Sequence, residues 1–273
     1  MEELAVPPGA IEPTRHRSSS MPDPVLEVRN LSKRYGEVHA VRDISFSVYP
    51  QEVFGILGPN GAGKTSTLEM IETLRQIDQG TIVLDGIDVR RDPHRVKRRI
   101  GVQLQSSSFF DKLRLHEILR LFGEFYDLRV DPGPLLAEVD LQEKRDATVS
   151  ELSGGQKQRF SIAVALVANP LMLFLDEPTT GLDPQARRNL WGVIRRIRSE
   201  GKTIVLTTHY MDEAEELCDR VAIMDRGTIV AMAPPQELIH ALLTRGFRKE
   251  RIERLANLED VFLDLTGHSL RDE

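Results

Sequence analysis

Apolar and polar residues alternate near the start of the chain. Leu26 and Val28, and later Ile44, Phe46 and Val48, are separated by single polar residues. That period of two predicts half-buried strands. Val53 to Leu57 is a short apolar run ending at Gly58, as expected of a buried strand, and a helix is expected from Lys64. Thr81–Leu84 and Ile100–Leu104 read as further strands. Leu115, Ile118, Leu119, Phe122, Phe125 and Tyr126 fall at helical spacing. A second helix is predicted over Gln156–Ala168, stopped by Asn169-Pro170. Leu171–Leu175 reads as a buried strand. Pro184–Glu200 reads as a helix with proline in its first turn and Gly201 just past its end. Thr203–Thr208 and Val221–Met224 are predicted strands, and Asp225-Arg226-Gly227 a turn. Strands alternating with helices predict an α/β fold with a mostly parallel sheet. The β-rich beginning and the helical middle predict two subdomains added to that core.

Composition narrows the picture. The 273 residues are 40% apolar, enough for a packed core. A net charge of −6 argues against a general nucleic-acid binder. Cys218 is the single cysteine, so no internal disulfide can form; it reads as a small buried hydrophobe on a helix. The longest nearly apolar run, Phe160–Leu175, is broken by Asn169-Pro170 and is too short to span a bilayer. Residues 1–24 are rich in Pro, Ser and charge and read as a disordered leader without the apolar core of a signal peptide. A cytoplasmic location is expected. The basic runs Arg90–Arg99 and Arg245–Arg254 read as solvated faces, with contact to acidic lipid headgroups or an acidic partner surface as the alternative.

Three motifs carry chemistry. Gly58-Pro59-Asn60-Gly61-Ala62-Gly63-Lys64-Thr65 matches the phosphate-loop pattern. A triphosphate needs many donors in a small volume. Glycines let backbone N–H groups turn inward, and the following helix adds its N-terminal dipole. Lys64 is expected to reach the phosphates and the Thr65 hydroxyl to bind Mg²⁺, with Ser66 next to them on the helix. Asp176 and Glu177 end the apolar strand. Asp176 is expected to hold Mg²⁺ and Glu177 to act as general base on the attacking water. The third motif is Leu152-Ser153-Gly154-Gly155-Gln156. Ser153 sits where an N-cap belongs, and the glycines expose backbone N–H groups, which makes a second anion site. One triphosphate does not need two cradles, so the second is expected to serve another molecule's nucleotide.

With these motifs in this order, the chain resembles the nucleotide-binding subunit of ABC transporters from Val25 to about Pro235. The resemblance implies a P-loop NTPase (RecA-like) core with an antiparallel β subdomain and a helical signature subdomain at about 106–165. Residues 236–273 are left as a short helical extension. It also implies roles for isolated residues. Tyr35 stacks on adenine. Gln105 meets Mg²⁺ and the attacking water. Asp183 lies in the loop that crosses the dimer, and His209 contacts the γ-phosphate. By itself each has a plainer structural reading: a packing tyrosine, a strand end, a helix cap, a structural histidine. The implied mechanism closes two cassettes around two ATP molecules, with an identical chain as the expected partner, and moves a separate permease. Three stretches are similar to exporters of the daunorubicin-resistance type: Leu104–Leu113, Thr207–Glu215 and Leu258–Gly267. That likeness implies export of a drug, lipid or other small molecule through an ABC-2 type permease, with the chain held at the inner face of the membrane. An importer ATPase and a soluble non-transport ATPase are the alternatives. No nucleic-acid partner is expected.

Overall fold

The structure is a computed structural model describing residues 22–104, 109–110 and 112–247. Strands β1 (Leu26–Tyr35) and β2 (Val38–Val48) lead to β3 (Val53–Leu57) and helix α1 (Lys64–Ile71). Then come β4 (Gln79–Leu84), β5 (Ile87–Asp88), α2 (Pro93–Lys97) and β6 (Ile100–Gln103). Helices α3 (Leu115–Glu124), α4 (Pro132–Glu138) and α5 (Gly154–Leu166) follow. The rest alternates: β7 (Met172–Asp176), α6 (Pro184–Ser199), β8 (Thr203–Thr208), α7 (Met211–Leu217), β9 (Arg220–Asp225) and β10 (Thr228–Ala233). Helix α8 (Pro235–Thr244) crosses the division between two compact units at Gln236 and Glu237.

Two sheets result. One is antiparallel, in the order β2-β1-β4-β5. The other has the order β10-β9-β3-β8-β7-β6, and all its pairings are parallel except β9 with β10. Strands β3, β7 and β8 are buried at every position; β3 and β7 accordingly read as short apolar runs rather than alternating ones, while β8 buries Thr203, Thr207 and Thr208 beside its apolar residues. In β1, by contrast, Leu26, Val28 and Leu31 face the core while their neighbours meet solvent. The sheets share one core: Phe46 of β2 stacks on Phe54 of β3, with centroids 5.2 Å apart and rings within 7° of parallel. Helices α3 and α4 pack on α5 as a helical layer.

Several elements escape sequence patterning. Helix α2 lies inside the basic run; Val96 is its buried anchor while Arg90, Arg91, His94, Arg95, Lys97, Arg98 and Arg99 are exposed. The signal was Asp92-Pro93, since the Asp92 side chain caps Arg95 N. Asp131-Pro132 marks the start of α4 in the same way. Helix α7 hides because its inward residues include Glu213, which is fully buried. Cys218 is buried as expected, yet it ends α7 in an extended conformation instead of lying within the helix. The helix expected to reach Tyr126 stops at Glu124, because Asp127 adopts a left-handed φ of 59°.

Parallel pairing aligns the carboxyl ends of β3, β8 and β7. Leu57 pairs with Thr208, and Asp176 with Thr207. The segments that follow these strands therefore open on one edge of the sheet, the usual location of a ligand crevice in such folds. Among the described residues no helix is long and apolar enough to cross a membrane.

Candidate active site

The phosphate loop joins β3 to α1. At Gly63 φ is 102°, and a Cβ would lie 2.3 Å from Ala40 O; at Gly58 a Cβ would lie 2.2 Å from Met224 O. No larger residue fits either position without moving backbone. The Lys64 ammonium is buried and uses its three donors locally. It donates to Gly58 O at 2.9 Å and Pro59 O at 3.2 Å, and pairs with Glu177 Oε1 at 3.2 Å. Pro59, Asn60 and Gly61 are exposed at the tip of the loop, while Ala62 is buried beneath it. Tyr35 stands at the rim, its hydroxyl 3.4 Å from Ser66 Oγ. Lys33 Nζ and the Arg75 guanidinium lie 5.5 and 5.3 Å from its ring centroid.

The two carboxylates sit at the tip of β7. Asp176 accepts from Thr207 Oγ1 and from Thr65 Oγ1, the latter at 3.2 Å to Oδ2. Burial pushes the Asp176 carboxyl above its ordinary range, against the pull of these two hydroxyls. Glu177 follows in a left-handed conformation, φ 47°, with its amide donating to Thr207 Oγ1 at 3.0 Å. Its carboxylate reaches Lys64, the Thr180 hydroxyl at 3.2 Å and His209 Nδ1 at 3.3 Å. Burial alone would raise the Glu177 carboxyl. The hydrogen bond and charge of Lys64, aided by His209 and Thr180, outweigh burial and hold it below the usual range. Glu177 is thus an anion at neutral pH.

Further contacts tie His209 to α6. The His209 ring packs on Tyr210 with centroids 4.1 Å apart, and the Arg187 guanidinium lies 4.2 Å from the Tyr210 ring centroid. Arg187 also pairs with Asp212 at 3.2 Å. Thr207 and Arg187 carry no signal in sequence spacing, because only strand pairing and the placement of α6 bring them here; Thr180 and Tyr210 lie within three residues of Glu177 and His209, but no role follows from that nearness alone.

A second cluster lies elsewhere. Ser153 caps α5 reciprocally: Gln156 N donates to Ser153 Oγ at 3.3 Å, and Ser153 N donates to Gln156 Oε1 at 3.0 Å. Asp183 caps α6 by accepting from Gln185 N at 2.9 Å and Ala186 N at 2.8 Å. These two helix N-termini border a cleft of about 270 Å³ lined by Ser153, Gly155, Gln156, Arg159, Asp183, Gln185, Ala186 and Asn189. No phosphate-loop residue lines it. Ser153 and Gly154 are exposed, and a Cβ on Gly155 would lie 2.9 Å from Ala186 Cβ. Gln105 lies outside the described residues.

The donors around Thr65 and Asp176 are oxygen atoms only, a set that suits a hard divalent cation. Among the described residues no group of three His, Cys, Asp or Glu side chains forms a metal cage. A cation here would draw its remaining ligands from phosphate and water, as Mg²⁺ commonly does.

A phosphate loop between a parallel strand and a helix, facing two strand-tip carboxylates, defines a P-loop ATPase, with an antiparallel sheet and a helical layer added to its core. The family described as ABC transporter matches residues 41–180, and the chain belongs to it as a nucleotide-binding ATPase. Cassettes of this family dimerise and work with a membrane permease. Nod factor export ATP-binding protein I of Ralstonia nicotianae is 44% identical, over 91% of this chain and 96% of that protein. The protein of the same name from Paraburkholderia xenovorans is 38% identical, over 92% of this chain and all of its own length. Among solved structures, an ATP-binding subunit of an ABC transporter aligns with TM-score 0.72 and 29% identity, covering 89% of this chain and 99% of that one. An ATP-binding cassette of an ABC transporter in its ADP conformation aligns with TM-score 0.72 and 26% identity, covering 82% and 96%.

Proposed function

We propose that this chain is the ATP-hydrolysing subunit of an exporter, working as a homodimer on a separate ABC-2 type permease at the inner face of the membrane. The observation carrying this reading is the meeting of Lys64, Asp176, Glu177 and His209 at one sheet edge, with a second helix-terminus cleft apart from it. In this reading Gly58–Ser66 wraps the phosphates of ATP and Tyr35 stacks on its adenine. Lys64 neutralises phosphate charge. Mg²⁺, held by Thr65 and Asp176, would neutralise further charge on the phosphate oxygens when bound. Glu177 accepts a proton from the attacking water as the new O–P bond forms, and ADP departs with the bridging oxygen. His209 steadies Glu177 and meets the γ-phosphate. The resemblance gives Gln105 a place beside the water and the metal. Ser153, Gly154, Gly155, Gln156 and Asp183 present the second cleft to the partner's ATP.

Two features support this assignment. Glu177 is anionic, as a general base must be. Ser153 and Gly154 are exposed, as residues that serve a second molecule must be. The export direction is supported by the relatives, which are named for export. The permease would set which compound moves.

The test is Glu177→Gln. It is expected to lower turnover by about 10²–10⁴-fold while leaving ATP binding intact. Light scattering should then detect an ATP-dependent dimer that accumulates because hydrolysis no longer reopens it. Undiminished phosphate release would overturn the assignment of Glu177. For direction, inside-out vesicles carrying the chain with its permease should accumulate substrate only with ATP.

A further inference from the structure

Thr207 is fully buried on β8, beside the apolar Ile204, Val205 and Leu206. A buried hydroxyl must find partners. Its neighbour Thr208 finds one in the turn into α7, accepting from Tyr210 N at 2.9 Å. Thr207 does something different. Parallel pairing sets it directly opposite Asp176. Its hydroxyl proton goes to Asp176 Oδ1, and its oxygen accepts the Glu177 amide at 3.0 Å. The same amide also reaches Thr207 O at 3.2 Å. One side chain thus spans two consecutive acidic residues, using both its donor and its acceptor capacity.

Both partners need such support. Asp176 is a buried carboxylate whose rotation decides which oxygen faces Thr65. Glu177 is a non-glycine residue at φ 47°, a conformation that persists only where its surroundings enforce it. That turn of the backbone brings the Glu177 side chain to Lys64 and His209. Valine has the same shape and suits a buried strand equally well, so packing alone does not call for threonine here.

We propose that Thr207 is a positioning residue for ATP hydrolysis. Its hydroxyl orients Asp176 toward the nucleotide's divalent cation and holds Glu177 in the conformation required of the base. This rests on the roles assigned to Asp176 and Glu177 above.

The experiment compares Thr207→Val and Thr207→Ser with the wild type and with Glu177→Gln. Four quantities are read: melting temperature, ATP affinity in EDTA, ATP affinity with Mg²⁺, and turnover as a function of Mg²⁺. Thr207→Val is expected to lower the melting temperature by a few degrees, because Asp176 and the Glu177 amide lose a buried partner, and to leave EDTA-phase ATP affinity unchanged. It should lower turnover and raise the Mg²⁺ requirement, each by about 10–100-fold, the size typical of removing a partner of a metal ligand. The gain in ATP affinity that Mg²⁺ brings should shrink with it. Thr207→Ser keeps the hydroxyl and should restore all four readings. If the valine variant does not fold, Thr207→Ala gives the same comparison. Wild-type turnover and Mg²⁺ dependence in the valine variant, with Glu177→Gln inactive, would overturn the proposal and leave the site assignment standing. Activity in Glu177→Gln as well would overturn the underlying assignment instead. Equal loss of ATP affinity with and without Mg²⁺ would make Thr207 merely structural and also overturn it.

Discussion

At the residue scale, charge and burial decide what each acid does. Glu177 keeps its proton off because Lys64 stands against it. Glu72, the C-cap of α1, faces other carboxylates instead. Burial, followed by the charges of Asp176 and Glu69, pushes its carboxyl up to about 8. Between its unfolded value of 4.5 and about 8, the native state therefore holds a proton that the unfolded state has released. Its contribution to stability is present below pH 4.5 and is lost as pH rises through about 8. Glu72→Gln, which mimics the protonated form, should be more stable than the wild type at pH 8. The advantage should shrink as pH falls toward 5. Urea unfolding at both pH values checks this; an equal difference at the two would count against a buried, proton-holding Glu72. In sequence, Lys64, Asp176 and Glu177 were legible because each belongs to a contiguous motif. The opposite shifts of Glu72 and Glu177 were not, because a lone Glu looks the same whether a lysine or a carboxylate faces it.

At the element scale, the helix starts are the readable parts and their packing is not. Ser153 and Asp183 announced the N-termini of α5 and α6 through cap chemistry within three residues. The approach of the two helices depends on Gly155, whose absent Cβ leaves room for Ala186. Gly155→Ala should therefore destabilise the fold by about 1–3 kcal/mol, the usual cost of overpacking. For a chain of this length that lowers the melting temperature by at least about 2 °C. Ala186→Gly in the same chain should recover most of the loss, since the two sites are in contact. Additive losses would place the strain elsewhere. Similarly, β7 and β8 were recognisable as strands, but nothing local says that they are neighbours.

At the scale of the whole molecule, the described residues hold one phosphate loop and, apart from it, a cleft between the N-termini of α5 and α6. The Ser153 cleft is lined without any residue of Gly58–Thr65. On the proposed reading that cleft is completed by another copy. Ser153→Arg would place a long cation at the mouth of the cleft. It should abolish hydrolysis and ATP-dependent dimerisation while nucleotide affinity of the monomer stays unchanged. Titration with a fluorescent ATP analogue, alongside light scattering, checks both. Loss of monomer affinity would move the Ser153 cleft into the chain's own ATP site.

By itself the sequence determined the strongly patterned strands and the longer helices, the phosphate loop, the paired acids and the capped glycine turn at Ser153. All of these follow from interactions between residues a few positions apart: period, cap, glycine and proline. Tertiary structure alone decided that β8 lies between β3 and β7, and so that Thr207 faces Asp176 across 31 positions of chain. It also decided that Arg187 stacks on Tyr210 beside His209 and that α5 meets α6 at a missing Cβ. The physical reason is that parallel pairing is settled by burying both faces of every strand at once. That is a property of the assembled core, which no window of the sequence contains.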